Sequence, residues 1–480
     1  MNRSTPIFDW AFSQAAKPAI VSDTETLTWG ELRDGIVRAA TLLQDRIGAG
    51  TRVALFIDST PVFVLAYYAT MYLGGVVTPL NRAMTAAEIS DAVSALGIEF
   101  VISDESVDAG VANQVMDGFD LPTSSASVRP PADLGPDDPA QILLTSGSTG
   151  RPKGVVLTLG NLASNYDPTH RWIGVGNTDR LLLTLPIFNT YALNQGLNLL
   201  AMTGGTMRLV RRFSDEAMQQ AFDDFEPTFV PLVPTMLTRL YQAGVVYDRP
   251  VILGLGAASS PGQVVAQAWT VFPQAFLFFG YGLTEGTAIV SQNRVGTAQS
   301  NNGDFASVGV PVPGVRVRIN RPGGDDQRGE VHISGAMVFH SYVGGEERPV
   351  VDGWMQTGDI GRFDGDRLYI VDRKRDLIIR GGQNIYPGEV EHLLSSHDAV
   401  LGASIVARSD DDLGEVPVAF VVVKDDTGVT PGELLEWMRS RTSAYKLPVA
   451  VHIIDAMPKT PTGKIRKLDL REAVARGDYG

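Results

Sequence analysis

The stretch Thr145-Ser-Gly-Ser-Thr-Gly-Arg-Pro-Lys-Gly154 follows directly on the apolar run Gln141-Ile-Leu-Leu144. A strand that empties into such a loop builds a phosphate cradle. Glycine has no Cβ, so the backbone can turn its N–H groups toward an anion. The Ser and Thr hydroxyls add neutral donors, and Lys153 adds a mobile positive charge. The loop is not a Walker A motif, G-x-x-x-x-G-K-[ST]. With Gly147 as the first glycine, the second glycine position falls on Pro152, and Lys153 is followed by Gly154. Phosphate binding of another kind is expected.

Several later apolar runs end in unusual polar loops. Leu181–Leu185 leads into Pro186-Ile-Phe-Asn-Thr-Tyr191, and Thr228–Val233 into Pro234-Thr-Met236. Val251–Leu255 leads into Gly256-Ala-Ala-Ser-Ser260, and Phe276–Phe279 into Gly280-Tyr-Gly-Leu-Thr-Glu285. Open α/β sheets bind ligands beyond the carboxyl ends of their strands, so these loops predict one cleft. Upstream, Ala19–Val21 and Arg52–Ile57 read as strands, Thr28–Gln44 and Pro61–Leu73 as helices. Such alternation predicts an α/β fold of mainly parallel sheets covered by helices. Pro122–Ala140, rich in Pro, Ser and Asp, reads as a surface linker. From Val308 to Val371 short alternating strands with Gly turns predict a small β-rich subdomain. The charged run Asp372–Asp376 marks a boundary to a small α+β unit, with helices at Glu389–Leu394 and Gly432–Arg441 and strands at Val418–Val423 and Val451–Ile454.

A chain of 480 residues is too long for one ordinary core. Its 40 basic and 54 acidic residues leave a net charge of −14, against general affinity for nucleic acid or anionic membrane. Without cysteine, disulfides, Cys-ligated metals and a thiol nucleophile are excluded. The opening Met-Asn-Arg-Ser-Thr-Pro lacks the apolar core of a signal peptide, and the window Val62–Ala69 is too short to span a bilayer. A cytoplasmic protein is expected. His332 and His340 lie in the β-rich region without metal-ligand spacing and read as structural.

Taken together, the motifs resemble the adenylate-forming superfamily: acyl- and aryl-CoA ligases, adenylation domains of peptide synthetases, and luciferases. The resemblance covers essentially the whole chain. It rests on Thr145–Gly154, Tyr281-Gly-Leu-Thr-Glu285, Gly329-Glu-Val-His-Ile-Ser-Gly335 and Thr357-Gly-Asp359. It continues through Arg373–Glu391 and closes with Pro458-Lys-Thr-Pro-Thr-Gly-Lys464. Leu185-Pro-Ile-Phe-Asn-Thr-Tyr-Ala-Leu-Asn194 is most similar to 4-coumarate:CoA ligases and related acyl-CoA synthetases.

The resemblance implies a two-step reaction. A carboxylate attacks the α-phosphorus of ATP to give acyl-AMP and pyrophosphate; a thiol of CoA, or of a carrier protein's phosphopantetheine, then displaces AMP. It implies an N-terminal domain over residues 1–374 that binds ATP and acid, and a mobile lid over 375–480. Thr145, Ser146, Gly147, Ser148, Thr149, Gly150 and Lys153 would hold the β/γ-phosphates. Thr284 would contact the α-phosphate and Glu285 coordinate Mg²⁺. Tyr281 and Gly282 would lie along the adenine beside Gly256, Ala257 and Ala258. Asp359 would accept both ribose hydroxyls and Arg373 would donate to the ribose. Lys464 would reach the α-phosphate and the carboxylate, Arg375 would be the hinge, and Gly381 and Gly382 would line the thiol tunnel.

Asn189, Tyr191, Asn194 and Gly280 would line the acid pocket. Relatives of this kind usually carry His where this chain has Asn189. Asn donates a hydrogen bond but carries no charge, so Asn189 is expected to pair with a polar substituent of the acid, alongside Tyr191 and Asn194. Phe188–Gln195 contains no acidic residue, which argues against an amino-acid substrate, whose buried ammonium would need a carboxylate partner. An aryl or short-to-medium acyl acid, hydroxylated, fits best. Three readings follow: a CoA ligase, working as monomer or homodimer; a free-standing adenylation enzyme loading a carrier protein; and a nucleotide-binding protein without turnover.

Overall fold

The computed structural model describes residues 6–116, 128–145, 153–256, 262–321, 327–345, 348–424, 427–459 and 465–479. The chain forms two compact units. One runs up to Val317 and includes Ile333–Met355; the other comprises Arg318–His332 and the chain from Gln356 onward.

The first unit is built on two large sheets. The nine-stranded sheet runs in the order Val310–Pro311, Ser291–Gly296, Ala275–Tyr281, Val251–Leu255, Phe229–Leu232, Arg180–Leu183, Thr206–Leu209, Pro18–Val21, Thr26–Thr28. Its central strands are parallel and its outer pairings antiparallel. Arg180–Leu183 is followed in the chain by its neighbour on one side, Thr206–Leu209, whereas the adjacent Phe229–Leu232 is followed by Val251–Leu255 on the other, so the chain leaves these two strands in opposite directions. This is a topological switch point, where open α/β sheets place ligands. The loop that follows this strand is the one read above as the acid loop. The seven-stranded sheet contains Pro139–Thr145 paired antiparallel with Lys153–Thr158. The strand Ser341–Tyr342 lies along the latter's other edge.

Local chemistry explains the helices. Trp29–Leu43 starts at a capping box in which Thr28 and Glu31 satisfy each other's backbone N–H groups. Pro61–Tyr72 has Pro at its first turn and is buried on every side. No described helix is long and apolar enough to cross a membrane. One core cluster of this unit centres on Phe222, Leu253, Phe272 and Leu277. The segment expected as a linker has no helix or strand over 128–138; its residues 122–127 lie outside those described.

In the second unit, Trp354–Asp364 and Arg367–Arg373 pair antiparallel, with Asp359 opposite Arg373. The β-rich stretch also lends Val310–Pro311 and Ser341–Tyr342 to the edges of the two larger sheets. A further sheet runs Gln383–Ile385, Ile378–Arg380, Gly414–Val423, Val400–Asp410, with Ala450–Ile453 alongside Gly414–Val423. Helices Pro387–Ser395 and Pro431–Arg439 contribute Val390, Leu394, Leu434 and Met438 to the core beside it. The boundary expected after residue 374 falls inside this unit, at the turn Lys374–Asp376. Contacts bridge it. Arg328 pairs with Glu389 at 2.5 Å, and Asp372 accepts from the Gly388 N–H at 2.6 Å.

Candidate active site

Thr145 and Lys153 face each other as the last and first residues of a hairpin. The loop between them, with Ser146, Gly147, Ser148, Thr149 and Gly150, lies outside the described residues. The Lys153 ammonium stands 5.1 Å from the Tyr342 ring centroid, a cation–π distance. The Tyr342 hydroxyl donates to Glu285 Oε1 at 3.2 Å. Tyr342 therefore joins the lysine of the phosphate loop to the carboxylate expected to hold Mg²⁺. A neutral phenol orients that carboxylate without cancelling its charge.

Tyr281 ends a central strand, and Thr284–Gly286 form a single 3₁₀ turn beyond it. Close packing demands both glycines of this motif. A Cβ on Gly280 would overlap the Ser291 carbonyl oxygen, and one on Gly282 the Ala288 carbonyl oxygen. The Phe339 N–H donates to the Glu285 carbonyl at 2.9 Å and fixes the backbone there.

The acid loop meets this motif directly. The hydroxyls of Thr190 and Thr284 are 2.9 Å apart. Asn189 is placed differently from the expectation. Its Oδ1 accepts from the Ala192 N–H at 2.8 Å and caps the short helix Thr190–Ala192, while its Nδ2 donates to the Pro186 carbonyl at 3.3 Å. Both ends of its amide serve the backbone, because a loop leaving a strand needs a cap before it can turn helical. Asn194 is buried, and its Nδ2 donates to Asn165 Oδ1 and the Thr287 carbonyl. Tyr191 lies flat over Gly256, where any Cβ would overlap its ring, and its hydroxyl sits over Gly254 beside Phe278. That hydroxyl is buried without a hydrogen-bond partner among the described residues. Burial pushes its pKa up, so it stays protonated and able to donate.

In the second unit, Arg373 Nε contacts Asp359 Oδ1 at 2.7 Å; Asp359 is 2% exposed. The turn before it is held on three sides. The Thr357 hydroxyl donates to the Val331 carbonyl, the Asp359 N–H donates to the Thr357 hydroxyl, and the Gly358 N–H donates to Glu330 Oε1. Glu330 Oε2 also takes the Lys374 ammonium at 2.9 Å. Arg375 is exposed in the turn Lys374–Asp376, whose Asp376 is tied to Arg471 at 2.7 Å. Gly381 and Gly382 have φ of 54° and 79° and form the two-residue turn of a hairpin closed by Arg380 and Gln383. Left-handed values at both central residues define the type I′ turn, which explains two glycines there. Ala257, Ala258 and Lys464 lie outside the described residues.

Tyr342, Asn165 and Glu330 escaped the reading of the sequence, while Thr190 was expected to offer the acid a neutral polar contact. Thr190 and Glu330 stand inside motifs already quoted; Tyr342 and Asn165 carried no local signal. Among the described residues, no group of three or more His, Cys, Asp or Glu is placed to hold a metal. His332 is buried, its Nδ1 3.4 Å from an Arg318 nitrogen.

Two family models match the chain: "AMP-binding enzyme" over residues 7–343 and "AMP-binding enzyme C-terminal domain" over 389–464. A feruloyl-CoA synthase of Amycolatopsis sp is 32% identical, over 93% of this chain and 93% of the relative. A 4-coumarate–CoA ligase of Oryza sativa subsp. japonica is 29% identical, over 98% of this chain and 92% of its own. Among solved structures, ATP-bound MatB from Rhodopseudomonas palustris superimposes with TM-score 0.90 at 26% identity, covering 100% of both chains. MenE from Bacillus subtilis, an o-succinylbenzoate CoA synthetase in complex with ATP and magnesium ion, gives 0.85 at 26% identity, over 98% of this chain and 99% of its own. Motifs, fold and family models agree: the chain belongs to the AMP-binding enzyme family, the adenylate-forming enzymes.

Proposed function

We propose that this member of the family is an ATP-dependent carboxylic acid–thiol ligase that makes acyl-AMP and pyrophosphate, then passes the acyl group to CoA. The observation that carries this reading is the 2.9 Å contact between Thr190 and Thr284. It brings the loop at the switch point against the nucleotide motif, as a reaction between a carboxylate and an α-phosphate requires. Two anions must meet there, and fixed donors and cations offset their repulsion. Thr284, with Lys464 arriving from the C-terminal segment, serves the α-phosphate; Thr145, Lys153 and the loop between them serve the β- and γ-phosphates. Glu285 would hold Mg²⁺, which would supply charge neutralisation on the phosphates when bound. Asp359 and Arg373 hold the ribose. Rotation about Arg375 then presents the Gly381–Gly382 turn to the thiol, because one site cannot admit Lys464 and a pantetheine arm together.

The acid is aryl or short-to-medium acyl and carries a hydroxyl. Tyr191 supports this. Its buried hydroxyl has no partner among the described residues, and a substrate hydroxyl would supply one. Asn189 and Asn194 contribute to the shape of that pocket through their bonds to the protein. The test is a panel of carboxylic acids assayed for pyrophosphate release, with CoA, with a phosphopantetheinylated carrier protein, and with neither. Acid-dependent release followed by thioester formation with CoA supports the reading. Thioester on the carrier alone would move the acceptor, and no acid-dependent release would refute it.

A further inference from the structure

The Tyr281–Glu285 motif is followed at once by strained backbone. Among the described residues, four other than glycine have φ in the left-handed region, and two of them, Thr287 at 53° and Ala288 at 91°, are consecutive. Such geometry is unfavourable for residues with a Cβ and persists only where the surroundings over-determine it. Here they do. Asn165 Nδ2 donates to the Ile289 carbonyl at 2.7 Å. Asn194 Nδ2 donates to Asn165 Oδ1 at 3.0 Å and to the Thr287 carbonyl at 3.4 Å. Gln195 Nε2 donates in turn to Asn194 Oδ1 at 3.3 Å. The Thr287 hydroxyl donates to the Met337 carbonyl at 2.5 Å. Asn165, Asn194 and Thr287 are all at most 3% exposed, so water cannot replace these partners.

The clamped turn folds back on the motif. The Ala288 and Thr287 N–H groups donate to the carbonyls of Leu283 and Thr284. The Ala288 carbonyl occupies the space a Cβ on Gly282 would need. A shift of Thr287 and Ala288 therefore shifts Thr284 and Glu285. Asn194 stands in a six-residue π-helical turn, Leu193–Asn198, that continues directly from the helix carrying Thr190. A π turn re-registers the side chains of a helix.

We propose that Asn165 and Asn194 are positioning residues for the adenylation step. Their amides hold the Thr287 and Ile289 carbonyls, and through that strained turn they set Thr284 and Glu285 for Mg²⁺·ATP. The chemistry selects amides. Asn165 must donate to a carbonyl and accept from Asn194 at once, which neither a carboxylate nor an apolar isostere can do. The inference rests on the reading of Thr284 and Glu285 as nucleotide and metal residues.

The test is calorimetric titration with ATP, with saturating Mg²⁺ and with a chelator. It compares the wild type, Asn165→Asp, Asn194→Leu, and Asn194→Leu combined with Ala288→Gly, with melting curves on each. The readout is the gain in ATP affinity that Mg²⁺ confers. In the two single variants the gain falls roughly 10- to 100-fold, as when partners of a metal ligand are removed. Glycine adopts the left-handed conformation without a clamp, so Ala288→Gly restores most of the gain. Variants that melt lower but keep the wild-type gain would overturn the proposal and leave the two residues structural. A wild type without any gain would instead refute the reading of Glu285, and the inference with it. If Asn194→Leu fails to fold, Asn194→Ser, too short to reach Thr287, takes its place with the same two outcomes.

Discussion

Replacing Tyr191 with phenylalanine separates two effects that usually move together. The Tyr191 hydroxyl is buried and has no partner among the described residues. Leaving such a donor unsatisfied costs about 1–3 kcal/mol. Tyr191→Phe removes that cost, keeps the ring on Gly256, and so raises the stability of the free protein by up to about that amount. The same hydroxyl is the partner offered to a hydroxylated acid. Its loss should lower kcat/KM for that acid by the same 1–3 kcal/mol, roughly 5- to 150-fold at 1.36 kcal/mol per decade. The matched acid without a hydroxyl should be unaffected or improved, because binding it no longer seals an unpaired donor. The assay is pyrophosphate release over a concentration series of each acid in the matched pair, with thermal melts of both proteins. A variant that melts lower, or that leaves the ranking of the two acids unchanged, would refute the reasoning.

Asp359→Ala should raise the KM for ATP at least about tenfold, since charge-assisted hydrogen bonds contribute about 1.5–3 kcal/mol each; an unchanged value would make the Asp359–Arg373 pair a structural feature only. Lys464→Ala should lower acyl-AMP formation roughly 10²- to 10³-fold while sparing thioester formation from supplied acyl-AMP, and equal loss of both steps would remove Lys464 from its role. Asn189→Ala removes a cap contributing about 0.5–2 kcal/mol, so kcat/KM should fall alike for all acids; a changed ranking would mean that Asn189 contacts the acid after all. His332 titrates below its usual 6.5, first because burial disfavours the charged ring and although Glu330 opposes this. A depressed folded-state pKa means that stability is complete above pH 6.5 and is lost as pH falls through the lowered value. The melting temperature should therefore fall more steeply between neutral and acidic pH in wild type than in His332→Phe; identical pH dependence would show that the His332 pKa is the same in the folded and unfolded states.

Much of the fold is legible because local signals agree with it. Thr28 and Glu31 announce a helix by satisfying each other's backbone, and Pro61 opens the next by fitting a first turn. The loop proposed to bind the acid stands out by its residues, but the placement of Asn189 does not. Asparagine suits a helix cap and a ligand contact equally, and only the Ala192 N–H decides between them. Tyr342 and Asn165 are silent in the sequence for a different reason. Their partners, Glu285 and Ile289, stand 57 and 124 residues away, so no spacing rule can pair them. Glu330 is visible as part of a motif, yet its hold on Gly358 and Lys374 follows from how strands pair. The π turn at Leu193–Asn198 has no signature of its own, since its residues would also suit an α-helix.

In the proposed reaction a carboxylate attacks the α-phosphorus of ATP before any thiol takes part. Exchange of labelled pyrophosphate into ATP, measured without CoA or carrier protein, tests it most directly. Exchange should require both Mg²⁺ and a carboxylic acid, and should collapse in Lys464→Ala. ATP turned over to ADP and phosphate, or no exchange with any acid that yields thioester when CoA is present, would contradict it.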